Sequence, residues 1–447
     1  MQNAGGIQQV RWDLCKGNSV NVLGGDPSSV KKGRRSKNKK VPLWSRIGFA
    51  MRKINILILL CMAMGSVHCR KRSAKVLELG SDLGIKIFNQ VVSANPTENI
   101  ILSPHGIASL LWTLHMGADG RTKQQLSKAL KYSSQGTYRK LKRVEKLLTE
   151  NRNQDIVTIA NGLFVPSEPE LEQSFIQKTH EIYQALLRNV NFNDPSVAAS
   201  IINEWTSNQT KGMITDMISP TILNSATRLV VVNAIFFKGL WKSRFRPENT
   251  QNGNFYAADG NVYQVPLMFQ RSAFNFGITN TPANVRYYVL EMPYHGETIS
   301  MFIVLPENIG IPLSEITPHI NTQTINSWKK IITGKKLELS IPRFTAETET
   351  SLEKLLPSFG ITDMFDETKA DFRKISRSGQ LYVSQVQQKA KIEVNEDGTK
   401  ASAATVAVLM FRSFRITPPF TVNRPFLYVV WHNPTGTVLF IGQVSKP

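Results

Sequence analysis

Beyond residue 70 the hydrophobic period changes once along the chain, and that order restricts the fold more than any other feature. Residues 75–92 place Val76, Leu79, Leu83, Ile87 and Val91 three and four apart, the stripe of an amphipathic helix that closes before Asn95-Pro96. Residues 105–116 predict a second, apolar helix stopped by Gly117. Later apolar runs are short and continuous, as in strands: 228–237, then 301–305 ended by Pro306, then 426–431 and 437–442. His432-Asn433-Pro434-Thr435-Gly436 is the turn between the last two. Helices dominate early and strands dominate late, without helices alternating between the strands. That points to an α+β fold, largely antiparallel, in one large domain over 70–447.

The chemistry of an enzyme is missing from this body. Cys15, Cys61 and Cys69 all precede residue 70, so the body has no thiol nucleophile, thiolate cluster or disulfide. A chain of this length buries a core without staples. The six body histidines (105, 115, 180, 295, 319 and 432) lack metal-ligand spacing, and no G-x-S-x-G, P-loop or H-E-x-x-H occurs. We therefore expect no metal, no catalytic cofactor and no enzymatic activity. The formal charge of +21 divides into +10 over residues 1–69 and +11 over the rest. A moderately basic body favours polyanionic partners without singling out nucleic acid.

Met51-Arg52-Lys53 precedes an apolar run over 54–64 and then small residues, the layout of a secretory signal peptide over 51–69. The run falls short of the ~20 residues that span a bilayer. Cleavage after Gly65 or Cys69 fits the small-residue rule. The expectation is a secreted, extracellular protein without a membrane span. Residues 1–50 carry seven Lys/Arg within 31–40 and no apolar periodicity, so they read as an unstructured basic leader ahead of the working start at Met51. The same basic run would also fit a nuclear-localisation or nucleic-acid patch, but nucleic acid is not the expected partner.

Residues 389–412 are the most telling segment. Lys389–Val394 alternates as a strand does, and Glu396-Asp397-Gly398 follows as a turn. Thr399, Ala401, Ala403, Thr405, Ala407 and Leu409 then share one face of an extended chain, all small or apolar. Ser402, Ala404, Val406 and Val408 share the other, where Lys400 is the lone charge. The stretch is equally suited to stay exposed as a flexible linker, to form a fixed strand, or to slide into a sheet without burying a charge.

Five motifs in order resemble the serpin family, over essentially 70–447: Asn99-Ile-Ile-Leu-Ser103-Pro104, Val232-Asn233-Ala-Ile-Phe-Phe-Lys238-Gly239-Leu-Trp241, Gly360-Ile-Thr-Asp-Met-Phe365, Glu396-Asp-Gly-Thr-Lys-Ala-Ser-Ala-Ala-Thr405 and Asn423-Arg424-Pro425-Phe426. The resemblance implies three β-sheets, about nine helices and an exposed reactive-centre loop. It also implies inhibition of serine proteases by a suicide route, in which the protease attacks the loop, forms an acyl-enzyme and is carried away as the loop inserts. The hinge residues are then Glu396, Gly398, Thr399, Ala401, Ser402, Ala403, Ala404 and Thr405, and the reactive bond is Arg412–Ser413. Arg415–Ile416 is the second choice. Arg412 selects trypsin-like proteases (thrombin, plasminogen activators, plasmin, trypsin), whose pocket holds a carboxylate. Phe411 before it shifts the choice among them. The protein is expected to act as a monomer. A non-inhibitory serpin, a carrier or matrix-binding protein, is the alternative, but no proline or charge lies on the inserting face over 398–409.

Arg139, Lys142, Arg143 and Lys146 stand at i, i+3, i+4 and i+7, a basic stripe to which Lys140 adds. Such a row suits a sulfated polysaccharide, and in heparin-activated serpins the corresponding helix binds heparin, so heparin or heparan sulfate is the implied activator. Glu145, Glu150, Asn151 and Gln154 are expected to dilute its field. Ser103, Gly106, Asn233 and Gln385 are the expected sheet-opening cluster, with Gly106 and Gln385 departing from the usual Ser and His and so loosening the gate; His105 is a candidate substitute. Asn208-Gln209-Thr210 is a glycosylation sequon.

Overall fold

The protein is described here by a computed structural model, which covers residues 81–131, 145–148, 157–168, 170–183, 186–377, 380–396 and 417–447. All of these lie in one compact unit, Gly65–Pro447.

The first helix, α1, runs through the described residues 81–94 and buries Ile87 and Phe88 completely. Helix α2 (Pro104–Gly117) begins where the sequence specifies a start. Ser103 accepts a hydrogen bond from the Gly106 amide at its N-cap, and Pro104 occupies the first turn. All but Met116 of its side chains are buried, so its apolar circumference is that of a helix enclosed on every side. Helix α3 (Gly120–Ala129), a helical turn α4 (145–148), α5 (Gln173–Tyr183), α6 (Pro195–Gln209) and α7 (Thr322–Ile331) follow.

The strands are β1 (Ile100–Leu102), β2 (Val157–Val165), β3 (Leu186–Asn189), β4 (Leu229–Phe237), β5 (Gln251–Tyr256), β6 (Val262–Asn280), β7 (Arg286–Pro293), β8 (Ile299–Pro306), β9 (Thr333–Pro342), β10 (Phe344–Ser351), β11 (Val383–Val394), β12 (Pro419–Thr421), β13 (Phe426–His432) and β14 (Thr437–Val444). The strands anticipated at 228–237, 301–305, 426–431 and 437–442 are β4, β8, β13 and β14. Gly436 takes φ +70° in the turn between the last two, where a side chain would be strained.

Among the described residues these strands form two hydrogen-bonded sheets, rather than the three implied by resemblance. The cause is β6. Its 19 residues pair with β9 over Leu267–Phe276 and with β7 over Asn275–Asn280, so one strand joins β1-β14-β13-β8-β7 to β9-β12 in a single sheet, with β5 at its side. The second sheet has the order β10-β11-β4-β2-β3.

Strand β4 shows how the layers stack. Leu229, Val231, Ile235 and Phe237 face the interior shared with α2 and the larger sheet, whereas Val230, Val232 and Ala234 pack under α6 against Ala198, Ala199 and Ile202. Covered on both faces, it reads as an unbroken apolar run with one exception, Asn233.

Candidate functional site

The five-stranded sheet has a seam. β10 and β11 are antiparallel, as are β4 and β2, but β11 and β4 run parallel from Val383↔Leu229 to Ile392↔Phe237. The other parallel pair of this sheet, β2/β3, is a short one at its edge. Parallel neighbours need a long crossover, here the chain from 238 to 382, and pair slightly less stably per residue. A strand doubling back after β11 would run antiparallel to β11 and β4 alike, and would convert the centre of the sheet to antiparallel pairing.

Asn233 sits in this seam. Its Nδ2 donates to Asn161 Oδ1 on β2 at 2.9 Å, and its Oδ1 accepts from Gln388 Nε2 on β11 at 2.8 Å. Gln388 continues to α2: its Nε2 donates to Ser103 O at 3.1 Å and its Oε1 accepts from Ser103 N at 2.9 Å. Ser103 Oγ donates to Leu439 O on β14 at 2.7 Å. Three buried amides therefore link strands β2, β4 and β11 to one helix N-terminus, each with its partner. Gly106 makes the room. A Cβ there would lie 2.1 Å from Asn233 Oδ1 and 2.7 Å from Gln388 Nε2, so any side chain would expel the amides.

Ser103, Gly106 and Asn233 are thus brought together as expected, and Gln385 is not. Its nearest polar neighbour across the fold is Ile222 O at 3.4 Å. The reason is strand parity: positions 386, 388, 390, 392 and 394 share the face that looks toward α2 and the core, and 385 lies on the opposite face. One glutamine in an otherwise apolar set was the signal in the sequence. With Gln388 in place the network is complete, not depleted. His105 does not join it either. It is buried, with Nε2 3.2 Å from Glu145 Oε1. Glu145 is buried too, accepting from Ser109 Oγ at 3.1 Å, so it points inward instead of diluting a surface field.

A second tie crosses β11 on its other face. Lys389, buried, reaches Asp216 Oδ1 and Asp216 O, both at 2.9 Å, in the segment after α6, and Glu347 on β10 at 3.3 Å. Burial opposes the Lys389 charge, but the bonds to Asp216 and Glu347 more than offset it and raise its pKa. The same bond to Lys389 holds the Asp216 carboxyl below its ordinary range.

Both ends of the candidate loop are anchored. At its start Glu396 is buried, its Oε1 accepting from Thr250 Oγ1 at 2.8 Å and lying 3.7 Å from Arg343; its carbonyl accepts from the Phe245 amide at 3.3 Å. Trp241 Nε1 donates to Asn395 O at 3.0 Å, and its ring stacks on Tyr294 at 4.3 Å. Gly239 permits that approach, since a Cβ there would come within 2.5 Å of the Tyr294 ring. At the far end β12 pairs with β9, and Arg424 Nε and Nη2 donate to Pro306 O at 2.9 and 2.7 Å. The hinge residues 398–405, Arg412 and Ser413 lie outside the described residues, as do Arg139, Lys140, Lys142 and Arg143. Lys146 lies in α4. Asn208 is exposed in the last turn of α6, and Thr210 of its sequon is buried, its Oγ1 donating to Thr206 O at 2.8 Å and accepting from the Ile214 amide at 3.1 Å. No helix among the described residues is long and apolar enough to cross a membrane.

The chain that builds this sheet, with its parallel seam and the amide bridge across it, matches one family along the whole described body. The chain belongs to the serpins, whose family model (serine protease inhibitor) matches residues 78–447. Within that family it is 50% identical over 392 residues to glia-derived nexin of Rattus norvegicus, covering 87% of this chain and 98% of the relative. It is 39% identical over 404 residues to plasminogen activator inhibitor 1 of Sus scrofa, covering 88% and 99%. The crystal structure of native protease nexin-1 with heparin superposes with a TM-score of 0.79 at 49% identity, covering 84% of this chain and 100% of that one. The family model that the chain matches is that of an inhibitor, and the chain is not a catalyst.

Proposed function

We propose that the protein inhibits Arg-specific, trypsin-like serine proteases by suicide insertion of its loop. The protease serine hydroxyl attacks the Arg412 carbonyl, the Arg412–Ser413 bond breaks, and the Ser413 amine leaves with the proton. An ester joins Arg412 to the enzyme. Freed at that point, the chain after Glu396 folds back between β4 and β11. The observation that carries this reading is the parallel β4/β11 pairing, followed in the chain by a sequence whose inserting face over 398–409 carries no charge. Insertion trades one parallel ladder for two antiparallel ones. The net gain is about a dozen hydrogen bonds at roughly 1 kcal/mol each, against the ordering of the inserted chain. About fifteen inserted residues at ~3.3 Å each carry the protease some 50 Å. The native form persists because the seam must open first.

The protein acts outside the cell as a monomer, after removal of 51–69, and Asn208 is its glycosylation site. Heparin-like glycosaminoglycans modulate it through Arg139, Lys140, Lys142, Arg143 and Lys146. With Glu145 turned inward, the row keeps more of its field than its composition suggests.

The test is a denaturing gel after mixing with thrombin or urokinase. A covalent band near the summed mass is expected, absent in Arg412→Ala. Clean cleavage without that band is the result of a non-inhibitory serpin and overturns the proposal.

A further inference from the structure

A basic surface lies where α3, α5 and the segment 366–377 meet, apart from the 139–146 stripe in sequence. Three bonds fasten it. The Asp119 amide donates to Asp371 O at 2.9 Å, the Asp371 amide to Thr122 Oγ1 at 3.0 Å, and the Glu172 amide to Ile375 O at 2.8 Å. The segment is thereby strapped from the start of α3 to the start of α5, and it sets Lys374 between Lys123 and Lys178. Two shallow grooves adjoin there. One, of about 680 Å³, is lined by Lys123, Lys128 and Lys131; the other, of about 250 Å³, by Lys178, Arg373, Lys374 and Arg377.

The carboxylates in reach are already committed. Asp119 pairs with Lys374 at 3.1 Å, Asp371 with Arg373 at 2.8 Å and Glu172 with Arg377 at 2.9 Å. Among the described residues Lys123, Lys128, Lys131 and Lys178 have no carboxylate within ion-pair distance. The surplus positive potential registers on its neighbours. Burial first, then Lys374 and Lys178, pull Lys123 below its ordinary pKa, against the opposing pull of Asp119. Burial, then Lys123 and Lys374, push His115 down to about 4, so its ring stays neutral and bonded to Ser127 Oγ at 2.8 Å.

We infer that this surface is a second polyanion contact, for a sulfated polysaccharide chain. All of these cations except Lys123 are exposed, so the site has no enclosed cage for a small anion. Spread over two helices and a strapped segment, they match a ligand that repeats its charge along its length, with the ammonium groups that lack a carboxylate partner displacing its counterions. The inference extends the proposed glycosaminoglycan binding to a surface that the 139–146 stripe does not include.

Immobilised heparin eluted with a salt gradient tests it. Lys123→Ala/Lys131→Ala/Lys178→Ala removes three of the four uncommitted cations, Lys128 remaining, and leaves every ion pair above intact, and an unchanged Tm verifies the fold. Elution at lower salt is expected, with the log–log salt slope smaller by about two to three, near one per lost contact. The same fall is expected in an Arg139→Ala/Lys142→Ala/Arg143→Ala background. Lys330→Ala/Lys336→Ala, an equal class of exposed charge elsewhere, should change the slope by clearly less per residue. Elution of the triple variant with the parent overturns the inference, as does an equal loss per residue in the control. If the stripe variant elutes with the parent while the triple variant does not, the stripe reading fails and this surface stands.

Discussion

Replacing Gln388 by Ala tests whether the seam is held by the amide bridge. The change removes the bonds to Ser103 N, Ser103 O and Asn233 Oδ1. Ser103 O keeps the Ile107 amide as donor, so two groups lose their bridging partner, the Ser103 N–H and Asn233 Oδ1, both in residues with no solvent exposure. A buried polar group left without a partner costs about 1–3 kcal/mol, which sets the loss at about 3 kcal/mol, less where water enters the vacated space. For a chain of this size that is a fall in native Tm of about 5 °C. Because the lost bonds span β4 and β11, the variant should also lose inhibitory activity faster at 37 °C, as the seam opens without cleavage. Gln385→Ala on the opposite face of the same strand is the control, and should shift Tm by less than 1 °C. Equal losses in the two variants, or a loss below about 0.5 kcal/mol in Gln388→Ala, would refute the assignment of the bridge.

Gly106→Ser should destabilise the native form by about 1–3 kcal/mol, since its Cβ would collide with Asn233 Oδ1 unless both amides shift; differential scanning fluorimetry reads this directly. Asp216→Asn should loosen the tie to Lys389. The folded carboxyl titrates below its unfolded value, so its contribution is present above the unfolded pKa and is lost as pH falls through the lowered one. The Tm gap between parent and variant should therefore narrow in acid, and a gap independent of pH would show that the charge is not involved. Cleavage within the loop should raise the Tm of the inhibitor well above that of the intact protein; identical melting of the two forms would remove the stored energy on which the mechanism depends.

The individual elements were legible because they are local. Ser103-Pro104 starts α2 by capping and fixed backbone angle, and β4, β8, β13 and β14 stand where unbroken apolar runs predict them. The gate was legible only in part. Ser103, Gly106 and Asn233 carry motif signals, whereas the motif position points to Gln385 and the bridge is made by Gln388, three residues away on the opposite face. Strand parity separates the two, but only once the face turned toward α2 is known. Glu145 was misjudged for the same kind of reason: helical spacing places a carboxylate on a row of bases, and the buried Ser109 and His105 that turn it inward belong to a different helix. Lys389, Arg343 and Thr250 gave no signal, because their partners Asp216 and Glu396 are remote in sequence.

Taken alone, the amino-acid order determines this protein's helices, strands, turns and the charge-free face of its hinge segment, since each depends on residues within a few positions of one another. It leaves undecided which strands become neighbours. Packing decided that β4 and β11 lie side by side and parallel although about 150 residues apart, and that one glutamine, and not its near neighbour, bridges them. That information resides in burial on both faces of a sheet, which no short window of sequence contains.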